Sequence, residues 1–354
     1  LDRLSVLRDI ALVLDVSLAA LIGDEEPASA KYTFKTPDVD ALENALLSYS
    51  AIQQPENLGG ITKTQLACQV KHAWTLFQAA SLSPKCSTLP NLLTHLHQQK
   101  QSLYALRLLV FSYQLACEVA FKLGRPDLAW IAADRGIQFA ELSEDLALIG
   151  GANRRIVHAM MLGSNYTRGL ALVTATAQRL APAVSASSPD IVSACGALLL
   201  KGSIAAAKAK NVSVAIGLND EAARIAAVLG KDRNIHWSAF GPTNVVIHRA
   251  TAMTELNDGP GALAALSTID RKALDQLSAE RRAEYFLTSA RGHLLSSNTQ
   301  GAVRAVMEAD RVGPGSVRFR PSSRHLIHQL IHGPGRPSSD PMLLRLARLV
   351  GIQT

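Results

Sequence analysis

The sequence predicts an all-α protein, a solenoid of stacked helical hairpins, and three observations support this fold class. Hydrophobic residues make up 48% of the 354 residues and aromatic residues only 5%. Alanine and leucine therefore dominate the apolar content, which favours helices over sheets. Helical periodicity continues almost without interruption from Val39 onward, and no alternating β-branched run indicates a strand. The third observation is a turn pattern that recurs along the chain.

The recurring pattern is a polar turn followed four residues later by a small residue. The clearest copies are Asp258 with Ala262 and Asn298 with Ala302. In a helix-turn-helix repeat, a small residue at this position lets the second helix of each hairpin pack closely against the first. Three further turns, at 123–125, 164–165 and 210–211, are followed by Ala129, Gly169 and Ala215.

The five turns are 40, 46, 47 and 40 residues apart. This register resembles the tetratricopeptide repeat, a helical hairpin of about 34 residues, with the extra length in connecting loops or longer helices. Thr176 and Ile269 depart from the small-residue pattern, and the tryptophan of the family's first helix is missing. The resemblance covers residues 100–314 well and 39–99 less well. A general helical bundle with alanine-rich interfaces is the alternative.

Helices are predicted in the first part of this array at 38–53, 61–80, 88–98 and 100–122. At the other end, the glycine-rich stretch 312–321 is expected to connect the fifth repeat to the chain end, with a DNA-backbone contact as the alternative. A last helix after Pro341 has one apolar face and is expected to cap the stack.

Residues 1–23 predict two short helices, followed by a linker at 24–38 that contains prolines. Their pattern of Leu4, Leu7, Ile10, Leu14 and Leu21 resembles the last two helices of an Xre-type (lambda-repressor-like) DNA-binding domain. The helix that reads bases in such a domain is absent from this sequence. Within residues 1–23, Arg3 is the candidate for a weak contact with the DNA backbone. An ordinary amphipathic hairpin is the alternative.

The segments 124–135, 240–249 and 280–291 extend the resemblance to bacterial Xre regulators with a C-terminal tetratricopeptide-like domain. The family implies a cytoplasmic transcription regulator that is dimeric and binds DNA through its helix-turn-helix domain. It also implies that residues 39–354 form the sensor or interaction domain. The net charge of +7 permits a nucleic-acid partner but does not establish one.

In a stack of hairpins, the first helix of each repeat lines the inner surface, where side chains are freed from core packing. The register places polar residues there, and these are the candidate contacts for a peptide, a small-molecule effector or a partner protein: Gln114, Glu118, Arg154, His158, Asn244 and Arg291. Lys208 and Glu255 fall on the same surface. A solvated helix face without a ligand is the alternative for each residue.

No nucleophile motif, cofactor motif or metal-ligand pattern indicates an enzyme, and no cofactor is predicted. His325, His328 and His332 share one helical face, but a solvated or phosphate-facing helix explains them without a metal.

No long apolar run predicts a membrane span, and four scattered cysteines without a CxxC pair suit the cytoplasm. Two functions remain open: a regulator switched by an effector, and a scaffold that holds a protein partner constitutively.

Overall fold

The computed structural model describes residues 37–47, 61–80, 88–98, 102–185, 188–333 and 340–353. The chain divides into two units between Thr36 and Pro37, and every described residue belongs to the second. The predicted N-terminal helices, Arg3 and most of the linker lie outside the described residues. Residues 37 and 38 are exceptions, because they begin the first described helix rather than end a linker.

The described residues form helices and no β-strand, which confirms the predicted all-α fold class. In chain order the helices are α1 Pro37–Leu47, α2 Lys63–Gln78, α3 Leu89–Gln98, α4 Leu103–Lys122, α5 Pro126–Ser143, α6 Leu146–Leu162, α7 Tyr166–Ser185, α8 Pro189–Lys208, α9 Val212–Leu229, α10 Pro242–Glu255, α11 Gly259–Ser267, α12 Arg271–Gln276, α13 Ala279–Leu295, α14 Thr299–Val312, α15 Pro314–Arg318, α16 Pro321–His332 and α17 Pro341–Leu349. A 3₁₀ turn, Ile235–Trp237, precedes α10.

Five hairpins follow one another in the order α4–α5, α6–α7, α8–α9, α10–α11 and α13–α14. The second helix of each hairpin also packs against the first helix of the next. The first helices (α4, α6, α8, α10 and α13) contact one another in sequence and form a continuous row, called here the inner row. The longest spacings between turns arise from the 20-residue helices α7 and α8 and from the connection between α9 and α10.

The five hairpin turns share one backbone geometry. Each has a residue in the left-handed region, with φ between 55° and 69°: Gly124, Ser164, Lys210, Asn257 and Ser297. The next residue in each turn donates its backbone N–H to the carbonyl five residues earlier, as Arg125 does to Ala120 at 2.9 Å and Asn298 does to His293 at 2.8 Å. This bond closes the end of the first helix and reverses the chain.

The small residues after the turns are buried where the two helices of a hairpin meet. Ala129, Ala262 and Ala302 have no exposed surface, and Ala215 is 2% exposed. At Thr176 the larger side chain is also buried, at 4% exposure, so this position tolerates more volume than the pattern implies. Close approach of paired helices therefore follows from side-chain size at these positions.

Helix α2 lies against the inner row and joins its early and late parts. The Trp74 indole donates a hydrogen bond to the Phe111 carbonyl of α4 at 3.1 Å and stacks on Trp237, with ring centroids 5.2 Å apart. Just after α2, the Ala80 carbonyl accepts a bond of 2.9 Å from the Gly315 backbone N–H. This helix thus covers side chains that the hairpin pattern alone would leave open.

Two described helices, α4 and α8, are long and apolar enough to cross a membrane by length and composition. Their most apolar windows are 78% and 83% buried inside the protein. Both helices have neighbours on several sides, so their apolar character is accounted for by packing in the core.

Candidate functional site

Charged side chains from five parts of the fold converge beside the inner row, in a region called here the basic chamber. They come from α4, α6, α8, α13 and the residue before α16. Seven are basic and three are acidic: Lys122, Arg154, Arg155, Lys201, Arg281, Arg291 and Arg320 against Glu118, Glu280 and Glu284. Charged side chains are rarely buried unless they are paired, so this excess of positive charge requires an explanation.

Arg155 is the most buried charge of the chamber, with 2% of its side chain exposed. Its Nη1 forms an ion pair with Glu118, a close contact outside good hydrogen-bond geometry, whereas its Nε has no partner among the described residues. Burial alone would raise the pKa of Glu118, but the cations Arg155, Lys201 and Arg154 outweigh it and lower that pKa to about 2. Glu118 is thus a carboxylate at neutral pH.

The acidic residues of α13 are also ionised and paired. Arg281 donates from Nε to Glu280 at 2.6 Å, while Glu284 pairs with Arg320 and lies 3.6 Å from Arg291. Burial opposes ionisation of Glu284, but the three arginines lower its pKa well below the ordinary value. The available carboxylates are therefore already engaged with arginine.

Lys122, Arg154 and Lys201 are the unpaired cations. Within the part of the chain that the structure describes, no carboxylate forms an ion pair with any of them. Burial is the main cause that lowers the pKa of Lys201 to about 7, of Lys122 to about 8 and of Arg154 to about 9. Their charged forms are therefore disfavoured in the protein as it stands.

Neutral polar groups complete the chamber. Burial lowers the pKa of His248 to about 3 and that of His158 well below its usual value, so both imidazoles are uncharged. His158 stacks on Phe121 with ring centroids 3.7 Å apart, and its Nδ1 has no partner in the described structure. Asn244 is 2% exposed and its Oδ1 is likewise unpaired there.

Aromatic rings of α2 form one wall of the chamber. The Trp74 ring lies 5.8 Å from Cζ of Arg155, and the Phe77 ring lies 4.0 Å from Nζ of Lys122. Such contacts attract cations to the ring faces. The rings provide no conventional hydrogen-bond acceptor, so the Nε of Arg155 stays without a partner among the described residues.

The chamber still keeps some open space. Two of its arginine side chains retain accessible surface, 19% for Arg281 and 29% for Arg320. A small cavity beside Arg154, also lined by Gln114 and Gly151, has room for about one water. A side chain at Gly151 would place its Cβ 3.0 Å from the Gln114 amide, which would then have to shift by a few tenths of an ångström.

The predicted inner-surface residues all lie on inner-row helices. Glu118, Arg154 and Arg291 belong to the basic chamber, His158 and Asn244 adjoin it, and Gln114 lines the small cavity. Lys208 and Glu255 instead pair with each other at 3.0 Å and so satisfy one another.

Seven chamber residues were not among the predicted contacts: Lys122, Arg155, Lys201, Arg281, Arg320, Glu280 and Glu284. Arg155 follows a predicted contact directly, and Lys201 lies in the middle of a strongly apolar helix. That second feature, a lone lysine in a buried apolar run, is a sequence signal that could have identified it.

The other sequence candidates lie away from the chamber, except for Arg320, which stands near the end of the glycine-rich stretch and pairs with Glu284. His328 and His332 are neighbours on α16, with ring centroids 4.7 Å apart, and His332 Nε2 contacts the Gln353 carbonyl at 2.8 Å. The glycine-rich stretch contains the short helix α15, and its Arg318 pairs with Asp310. Among the described residues, no group of three or more His, Cys, Asp or Glu could hold a metal ion.

In comparisons with known proteins, no family model matches the chain and no curated protein matches it. The resemblance to Xre-type regulators is therefore neither supported nor contradicted by relatives. The chemistry of the basic chamber is the strongest basis for inferring function.

Proposed function

We propose that this protein is a cytoplasmic transcription regulator whose tetratricopeptide-like solenoid binds an effector in the basic chamber. Binding controls the attachment of a dimer to DNA. The observation that carries the proposal is the unpaired polarity of the chamber: Arg155 Nε and Asn244 Oδ1 are buried without hydrogen-bond partners among the described residues. Groups of this kind are costly in a core and are expected at a binding site.

A purely structural role explains the chamber poorly. Well-packed apolar residues of similar volume are often as stabilising as a buried ion pair, or more so. Here the basic residues also outnumber the acidic ones, so Lys201 and Arg154 weaken the ligand-free fold. Side chains that weaken the free protein are expected where a bound ligand compensates for them.

The position of α2 favours a small effector over an extended peptide. Trp74 and Phe77 already occupy the face of Arg155 and Lys122, and Gln78 donates to the Trp237 carbonyl at 3.3 Å. A peptide lying along the inner row would have to displace these contacts. A small molecule could instead bind in the chamber behind α2.

Regulation would act through α2 and the hairpin stack. This helix contacts both early and late inner-row helices, so a ligand that changes its packing changes their separation. A dimer docks on two DNA half-sites about 34–36 Å apart. A small change in the distance between its two DNA-binding domains opposes simultaneous docking on both half-sites. The ligand must bind the two conformations with different affinity for such a switch to work.

A selection experiment tests the regulator directly. The natural full-length protein is incubated with fragments of the host genome, and retained fragments are sequenced. Their affinity is then measured with and without a protein-free extract of host metabolites. We expect enrichment of specific fragments, and an extract-dependent change in affinity of about fivefold or more. The double variant R154A/R291A should lose the extract effect, whereas R179A, on the exposed face of α7, should keep it.

Absence of any enriched fragment would exclude DNA binding as the function. Enrichment that the extract leaves unchanged, together with a protein that co-purifies in stoichiometric amount, would favour the alternative, a constitutive scaffold. Retention of the extract effect in R154A/R291A would place the effector site outside the basic chamber.

A further inference from the structure

We infer that the effector carries a multiply charged oxyanion of the phosphate type, which binds in the basic chamber against Arg154, Arg155 and Lys201. This inference rests on the proposed function, because it names the class of ligand for the same site. The three cations come from adjacent inner-row helices, α6 and α8, and all three lie near Glu118.

Charge balance is the first argument. Three carboxylates face seven basic side chains, and each carboxylate is already engaged by arginine. A ligand with two or more negative charges would offset the remaining excess, whereas a neutral ligand would leave it in place. A metal cation would add to the repulsion.

Hydrogen-bonding capacity is the second argument. Arginine and lysine side chains only donate, and Arg155 keeps its Nε without an acceptor among the described residues. A phosphate-type group presents only acceptor oxygens over a small volume, and arginine nitrogens can bind two of them at once. The free donors of the chamber therefore match the acceptors of this ligand class.

Enclosure is the third argument, and it separates a small ligand from nucleic acid. Trp74 and Phe77 cover the chamber from α2, and Arg155 is 2% exposed. A duplex cannot bring its phosphates to a guanidinium at this depth. Free small molecules that carry phosphate or diphosphate can enter by a local movement of side chains or of α2.

Proton uptake is expected to accompany binding. Lys201, with a pKa of about 7, faces Glu118 from α4, Arg154 and Arg155 from α6, and Arg281 from α13. The uncharged His158 and His248 also lie within its electrostatic range. An anion beside these cations favours the protonated lysine and raises its pKa.

Pyrophosphate, inorganic phosphate and potassium chloride of equal ionic strength are suitable probes with the purified full chain. We expect about 1 mM pyrophosphate to raise Tm by about 3 °C or more, phosphate to raise it less, and chloride to change it little. In K201M and R154M we expect pyrophosphate affinity to fall about tenfold or more, with an unchanged or higher Tm for the free variant. R179M, which removes an exposed arginine of α7, should bind as the parent does.

Two results would overturn the inference. One is an equal effect of pyrophosphate and chloride on the parent protein. The other is full pyrophosphate stabilisation in folded K201M and R154M. Either result would exclude the phosphate-type ligand but not the proposed regulator, since the metabolite extract could still change the affinity for DNA. Conversely, pyrophosphate binding without specific DNA retention would support the ligand class and contradict the proposed function.

Discussion

The guanidinium of Arg155 pairs with the carboxylate of Glu118 while its Cζ lies 5.8 Å from the centre of the Trp74 ring. One buried side chain therefore connects α6, α4 and α2. Its Nε has no hydrogen-bond partner among the described residues.

The substitution E118Q should destabilise the protein strongly. It leaves Arg155 buried without its carboxylate, and losing one partner of a buried ion pair costs about 3–5 kcal/mol. Urea unfolding of both proteins measures the difference. E141Q is the matched control, because Glu141 pairs with Arg179 at an exposed position and should contribute less than about 1 kcal/mol. Equal effects of the two substitutions would contradict the assigned burial.

The ligand-free protein should become more stable between pH 7 and 10, in part because of Lys201. Its pKa is about 7 in the folded protein and 10.5 ordinarily, so the unfolded chain binds more protons in this interval. Stability therefore rises with pH there, and K201M should reduce the slope by about 1 kcal/mol per pH unit. Unfolding curves at pH 7, 8, 9 and 10 measure it. An unchanged slope would show that Lys201 titrates normally.

Glycine substitutions at the hairpin turns should stabilise the fold. Lys210 and Ser297 have φ of 60° and 56°, a region that glycine adopts without strain. We expect K210G and S297G each to gain about 0.5–1 kcal/mol. The reverse change, G124A, should destabilise, because its Cβ would lie 2.8 Å from Cγ of Pro321. Thermal unfolding of the three variants measures these effects, and a loss of stability in both glycine variants would contradict the turn geometry.

The substitution W74F should loosen α2 selectively. Phenylalanine cannot donate the bond to the Phe111 carbonyl and stacks on Trp237 with less area. We expect a loss of about 1–3 kcal/mol, and faster hydrogen exchange in α2 and residues 234–239 than in α14. Hydrogen exchange followed by mass spectrometry resolves these segments. An equal increase in hydrogen exchange across the whole chain would mean that α2 does not open independently of the other helices.

Much of the described fold was predictable because it is local. The bounds of α4, predicted as 100–122 and observed as Leu103–Lys122, follow from periodicity and from the N-cap Ser102. The five turns repeat because a polar residue and a small residue satisfy the same backbone geometry each time. Glu118, Arg154 and Arg291 reach the chamber because their register positions place them on inner-row helices.

The rest of the chamber depends on packing between distant segments. Arg320 reaches Glu284 across 36 residues, and Trp74 meets Trp237 across more than 160, so no local pattern contains either contact. The cover that α2 provides also depends on Ala80 meeting Gly315, which involves the far end of the chain. Sequence periodicity identifies the inner row but cannot show what packs against it.

Calorimetric titration of the full chain with pyrophosphate at pH 8, in two buffers of different ionisation enthalpy, tests the basic chamber most directly. The difference in heat between the buffers gives the number of protons bound. We expect uptake of a substantial fraction of a proton in the parent protein and its loss in K201M, because Lys201 is mostly neutral at this pH before the anion binds. Equal buffer dependence in parent and K201M, or no binding heat in either buffer, would contradict an anion site at Arg154, Arg155 and Lys201.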